Sequence, residues 1–252
     1  ATFNYRSQPL NFNFYLFQSD FKKYNWENPD LSNQDFSSLS FGLNHKKFGS
    51  IRGEWNSINN FTFFNNTTPE FDLNRKFSVE VFQLANRLDY FKARMDQRFD
   101  FGKFTLANNI QFQKVNQKGD PQGTIDDPVA LNVPKWLLRS TFMLTSSIFN
   151  KALFFQSGVT LVYFTDYFAD QYNPLLAEFV TQNSTSIGNY PRVDFFFNAK
   201  IQSSRIFIKL ENISAPIKHL INIDAPYNYY SSPFVPYRDF SVRFGLIWNF
   251  FD

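Results

Sequence analysis

Side chains able to do covalent or metal chemistry are sparse in this chain. Its two histidines, His45 and His219, are the natural general bases, and it has no cysteine. A Ser–His–acid relay needs a histidine packed against a serine and a carboxylate. The pattern places His45 in a tight turn and His219 in a long connection, away from any wall serine. No cluster of histidine and cysteine has metal-ligand spacing. The pair Asp126-Asp127 could reach a surface calcium ion, but reads more simply as solvated loop. No glycine-rich phosphate cradle is present. The Asn-x-Ser/Thr triplets at Asn60, Asn66, Asn183 and Asn212 fit chance in an Asn-rich chain. Neither an enzyme nor a cofactor is expected. The chemistry that remains is charge: arginines and lysines spaced two apart, opposite aromatic side chains.

That spacing belongs to β-strands, where alternate residues share a face. In the last segment Phe240, Val242, Phe244, Leu246, Trp248 and Phe250 share one face, opposite Asp239, Ser241, Arg243, Gly245 and Asn249. Val193, Phe195, Phe197, Ala199 and Ile201 oppose Arg192, Asp194, Asn198, Lys200 and Gln202. Phe104, Leu106, Ile110 and Phe112 oppose Thr105, Asn109, Gln111 and Gln113, and Trp136, Leu138, Phe142 and Leu144 form a similar face. About ten strands are expected, the first near Leu10 to Phe17. Phe77 to Asp100 reads as one long strand. Short turns are expected at His45–Gly49, Phe101–Lys103, Phe149–Lys151 and Ser203–Ser204. Long connections are expected at Asp20–Asn33, Asn65–Lys76, Asn116–Val133, Thr165–Tyr190 and Ser214–Tyr237.

Composition narrows the class. Among 252 residues, 35 are Phe, aromatics reach 20% and charged residues 19%. Mean hydropathy is nevertheless −0.35. A soluble core of this size would rely on Leu, Ile and Val. A membrane β-wall gives such a balance directly, with an apolar face toward lipid and a polar face toward a lumen. No run of about 18 apolar residues is available for a spanning helix. Strict alternation of short and long connections matches outer-membrane barrels, whose turns are short and whose surface loops are long. The expected fold is an all-β, antiparallel transmembrane barrel, one domain over 1–252, with an outer-membrane location and a periplasmic C-terminus. A net charge of +3 without a polybasic run argues against nucleic acid.

Register predicts the lumen face: Arg52, Lys92, Arg94, Arg98, Arg139, Lys200 and Arg243, accompanied by Glu54, Glu80, Asp96, Arg192, Asp194, Arg205, Lys209 and Glu211. A lysine or arginine facing lipid near the midplane would cost about 2–4 kcal/mol, so inward is the cheaper side. The expected result is a water-filled pore of weakly anion-preferring wall, with a salt-bridged, closed interior as the rival. Asp166 to Phe179 reads as a short amphipathic, helical piece. Its Tyr167, Phe168 and Tyr172 are contact candidates, since apolar loop residues facing water usually meet a partner.

Several ordered motifs carry a family resemblance. They are Tyr163-Phe164-Thr165-Asp166-Tyr167-Phe168-Ala169 followed by Tyr172 and Pro174, and Ile187-Gly188-Asn189-Tyr190-Pro191 with Asp194. Ile206-Phe207-Ile208-Lys209-Leu210-Glu211-Asn212 and Phe244-Gly245-Leu246-Ile247-Trp248-Asn249-Phe250 complete the set. Tyr24-Asn25-Trp26-Glu27-Asn28 and Asn59-Asn60-Phe61 match more loosely. With these the chain resembles the putative porin family of Bacteroidetes outer membranes. Members of that family are usually longer, which implies that this chain is the C-terminal part of a larger barrel. The resemblance implies an outer-membrane barrel for passive diffusion of small polar solutes. A non-conducting subunit of a larger assembly, secretion or uptake complex is the alternative, with protein partners. The terminal aromatic strand resembles the segment read by the barrel assembly machinery. Physically, an amphipathic terminal strand can add to another sheet edge. Outer-membrane lipid is the remaining expected partner.

Overall fold

The computed structural model describes residues 1–19, 25–46, 48–67, 79–117, 128–220 and 230–248, with the side chains of 218–220 excepted. Ten strands form one antiparallel sheet: β1 (Thr2–Gln8), β2 (Gln34–His45), β3 (Gly49–Asn59), β4 (Leu88–Phe101), β5 (Phe104–Gln117), β6 (Trp136–Ile148), β7 (Leu153–Phe164), β8 (Arg192–Ile201), β9 (Ser204–Glu211) and β10 (Ser241–Trp248). Each strand pairs only with its neighbours in this order. β1 and β10 are the lateral edges and do not pair with each other, so the described sheet is open.

Local chemistry explains the strands and their turns. β-branched and aromatic residues fit the pleated surface, and alternation gives each strand two unlike faces. The short turns at one end need left-handed backbone. Gly102 supplies it between Phe101 and Phe104 with φ 64°, and Phe149, Asn150 and Lys151 all take positive φ. The last tight turn is Gln202–Ser203, one residue earlier than expected, because Ile201 still pairs with Ser204.

Three expectations change. The first strand is Thr2–Gln8, not Leu10–Phe17; Phe12–Tyr15 is a helical turn capped by the Asn11 side chain. The span 77–100 is not one strand. Val79–Gln83 belongs to a different sheet, and the chain turns at 84–87 before β4 begins. Glu80 therefore stands outside the wall, although the periodicity runs unbroken into it. Phe77 lies outside the described residues. The segment Asp166 to Phe179 is not helical: Gln171–Asn173 pairs with Glu178–Thr181 as a hairpin.

The long connections build a second unit. Val79–Gln83 pairs with Thr62–Asn66, and Thr62–Asn66 lies parallel to Glu178–Thr181, giving a four-stranded sheet made from two loops. Phe64, Val79, Leu176 and Val180 form its core, with Phe14, Phe17 and Trp26 of the first connection packed on it. A second cluster joins Ile58, Phe63, Leu84, Leu88 and Ala130. The two buried hydrophobic clusters both lie at the long-connection end, and we call this unit the cap. The wall itself is one layer thick.

Candidate functional site

Residues paired directly across antiparallel strands point to the same face, so the register assigns faces without ambiguity. Arg52 pairs with Arg94, which pairs with Gln111; Asp96 pairs with Asn109, which pairs with Arg139, then Val162, then Arg192. Lys200 pairs with Arg205, and Lys209 with Arg243. Strand parity joins these rows into one face. All seven predicted lumen residues (Arg52, Lys92, Arg94, Arg98, Arg139, Lys200 and Arg243) stand on it. So do Arg6, Arg192, Arg205 and Lys209, against the acids Glu54, Asp96, Asp100, Asp194 and Glu211.

The opposite face is apolar and uncovered. Phe3, Leu43, Trp55, Phe142, Ile206 and Trp248 are exposed on it, and Phe244 is 82% exposed. Among the described wall residues its Asp, Glu, Lys and Arg are Asp35, Asp89 and Lys114, each within three residues of a strand's long-connection end. Mid-strand polar groups there are uncharged: the Ser140 hydroxyl donates to Asn108 Oδ1 at 2.7 Å, and the Ser157 hydroxyl donates to the Phe196 carbonyl at 3.3 Å. A face this wide and apolar is far larger than soluble monomers leave in water.

Ion pairs neutralise part of the polar face. Lys92 meets Glu54 at 2.8 Å, Arg94 meets Asp96 at 2.9 Å, and Arg98 meets Asp100 at 3.0 Å. Arg192 lies 3.5 Å from Asp194, and Glu211 holds both Lys209 at 2.6 Å and Arg243 at 3.0 Å. These pairs engage every acid of this face. Arg52, Arg139, Lys200 and Arg205 are exposed and have no acid within ion-pair distance among the described residues.

The polar face is hollowed. One concavity of about 520 Å³ is lined by Ser50, Asp96, Arg98, Asn109, Arg139 and Thr141. A second, of about 400 Å³, is lined by Asn109, Leu137, Arg139, Phe164, Tyr167, Tyr230 and Tyr237. Arg139 borders both. A third, of about 410 Å³, lies between Ser40, Arg52, Glu54, Lys92 and Arg94. Phenylalanines also stand on this face, among them Phe154, Phe196 and Phe207. Phe196 and Phe207 lie across their partner glycines Gly158 and Gly245; a Cβ at either glycine would sit 2.7 or 2.3 Å from the ring. The rings are thus pressed flat against the wall.

Toward the long connections the same face turns apolar and is covered. Phe36, Ile58 and Leu88 form a cross-strand row with Val115 beside it, and Phe63, Leu84 and Ala130 pack on that row. Gln113 is buried, donates to the Pro134 carbonyl at 2.9 Å and accepts from the Tyr90 hydroxyl. The cap therefore leans over the polar face at β2 to β5. Its polar interior is well satisfied: Thr181 donates to Asn65 Oδ1 at 2.8 Å, and Gln182 donates to the carbonyls of Ala169 and Thr185. Asp170 is the exception. One carboxylate oxygen is buried without a partner, and burial pushes its pKa up to about 6.

The loop candidates separate. Tyr167 exchanges backbone hydrogen bonds with Ile187, stacks edge-on against Phe164 at 5.9 Å and lines the second concavity. Phe168 and Tyr172 are exposed, and Tyr172 pairs with the exposed Phe179 at 5.4 Å. Of the terminal aromatic set, Phe240, Val242, Phe244, Leu246 and Trp248 are exposed at the β10 edge, while Phe250 lies outside the described residues. His45 stacks on Phe48 and accepts its backbone N–H at 3.3 Å. The side chain of His219, like Asp126 and Asp127, lies outside the described residues. Sequence reasoning missed Asp170, Gln182 and the pair Arg192–Tyr237, whose cation lies 4.6 Å over the ring. A turn-rich polar stretch carries no periodic signal that would single them out.

Among known proteins, a family model described as "Putative porin" matches residues 1–252, the whole chain. No curated protein matches it.

Proposed function

From the premise that this chain belongs to that porin family, we propose that it forms part of an outer-membrane pore through which small polar solutes diffuse passively. The observation that carries the reading is the division of the wall. Sixteen charged side chains stand on the hollowed face, and exposed Phe, Leu, Ile, Val and Trp stand on the other. In this reading the apolar face meets lipid, the hollowed face lines water, and both unpaired edges join further strands to close a barrel. The short turns and the C-terminus lie in the periplasm and the cap lies outside the cell. The wall does no chemistry; it selects by size and charge.

The test is single-channel recording of the full chain in a planar bilayer. Stepwise current that scales with salt supports the reading. Silence in protein that is folded, judged by its heat-modifiable gel mobility, overturns it. One observation favours a second reading: Phe168, Tyr172, Leu175 and Phe179 are exposed together on the cap. In that case the chain is a non-conducting subunit of a larger outer-membrane complex. Co-purification of partners from native membranes, lost on replacing Tyr172 and Phe179, would support it.

A further inference from the structure

The cations of the hollowed face are not equivalent. Those beside an acid offer little net field to a passing solute, because each carries its counter-charge within 2.6–3.5 Å. Besides Arg6, whose guanidinium lies 4.9 Å over the Phe36 ring, four have none among the described residues: Arg52, Arg139, Lys200 and Arg205. They stand on β3, β6, β8 and β9, and Lys200 faces Arg205 directly across two strands. Like charges placed opposite each other destabilise a sheet, and among the described residues no acid lies within ion-pair distance of this pair. Arg139 holds the special position. With Asn109 it borders both the concavity that runs toward the tight turns and the one under Tyr167, Tyr230 and Tyr237. Its in-register neighbours Asn109 and Val162 are uncharged, so its guanidinium is available to whatever crosses between the two hollows. A planar guanidinium offers paired N–H donors to carboxylate or phosphate.

We infer that Arg139 is a selectivity-determining contact for small carboxylate- or phosphate-bearing anions, at the junction of the two hollows, with Arg52, Lys200 and Arg205 supplying the surrounding positive field. This rests on the pore reading above. Solute near Arg139 is hydrated, so the interaction is that of unit charges in a water-like medium. At contact distance such a charge changes relative permeability about fivefold. Salt screens it, since the Debye length falls from about 10 Å at 0.1 M to about 3 Å at 1 M.

The experiment is a reversal-potential measurement on the full chain across a potassium chloride gradient, repeated with potassium acetate and potassium phosphate. The unaltered protein is expected to pass the anions in preference to potassium, more so at low salt. Arg139→Gln is expected to lose about fivefold of that preference, and Arg139→Lys to retain most of it. Lys114→Gln, on the apolar face, is expected to change nothing. Current without anion preference overturns the inference and leaves the pore reading standing. Anion preference that survives Arg139→Gln in folded protein overturns the assignment to Arg139. Absence of any current overturns both. Should Arg139→Gln not assemble, Arg52→Gln and Arg205→Gln carry the same comparison, and unchanged selectivity in both overturns the field they are assigned.

Discussion

At the scale of single residues, the wall and the cap obey different rules. In the cap, Asp170 is a carboxyl whose folded pKa is raised to about 6 by burial. A raised folded pKa means that the native state holds the proton more tightly than the unfolded chain does. The associated stability is fully present below the ordinary carboxylate range and is lost as pH climbs through about 6. The cap is therefore expected to loosen as pH rises through about 6, read as falling hydrogen-exchange protection at Ala169 and Gln182 once the intrinsic pH dependence of exchange is divided out. Asp170→Asn is expected to flatten that profile and to add about 1–2 kcal/mol near pH 7. In the wall, the faces of the seven predicted cations were legible because alternation and charge agree along the middle of their strands, with Asp89 and Lys114 departing from that agreement near the long connections. The partners were not. Arg94 with Asp96 or Lys209 with Glu211 can be guessed from spacing, but Lys92 with Glu54 and Arg243 with Glu211 depend on register between strands. Sequence shows the faces and hides the register.

Among the elements, the turns holding Gly49, Gly102 and Asn150 were readable because those residues supply left-handed backbone cheaply, whereas the last turn places Gln202 at φ 50° without such a residue and was expected one position later. The strand starting at Phe77 was misread for a clear reason. Val79, Val81, Phe91 and Ala93 keep one parity across the break, so periodicity alone cannot show that residues 84–87 carry the chain from one sheet to another. The cap could not be foreseen, since its central seam joins two short segments in parallel. Two element-level outcomes follow. Leu88 is fully buried beneath Leu84 and Ala130. Leu88→Ala is expected to weaken cap docking by about 2–5 kcal/mol, seen as protease cleavage within 60–87 while the wall stays protected. Gly158 has no room for a side chain, with the Phe142 carbonyl 2.5 Å and the Phe196 ring 2.7 Å from a built Cβ. Gly158→Val is expected to cost at least about 1–3 kcal/mol and to lower the yield of heat-modifiable, folded protein.

For the whole molecule, the unlike faces imply a membrane on one side and water on the other. Phe142 and Val159 pair in mid-strand on the apolar face, and Thr141 and Thr160 pair one step along on the hollowed face. Phe142→Arg is expected to destabilise the protein in a bilayer by about 2–4 kcal/mol, while Thr141→Arg costs much less. Reversible unfolding in lipid vesicles measures both, and equal costs would remove the basis for the face assignment.

The seam between the two cap loops also sets an order of assembly. Each wall strand pairs with its sequence neighbour, so the wall can grow hairpin by hairpin with short loops to close at every step. Thr181 and Asn65, by contrast, meet across a separation of 116 residues. Their contact cannot profit from chain proximity until the strands between them, β4 to β7, have been laid side by side. The seam therefore forms only after those four strands are in place. Its presence is a built-in record that the middle of the wall has been completed in register.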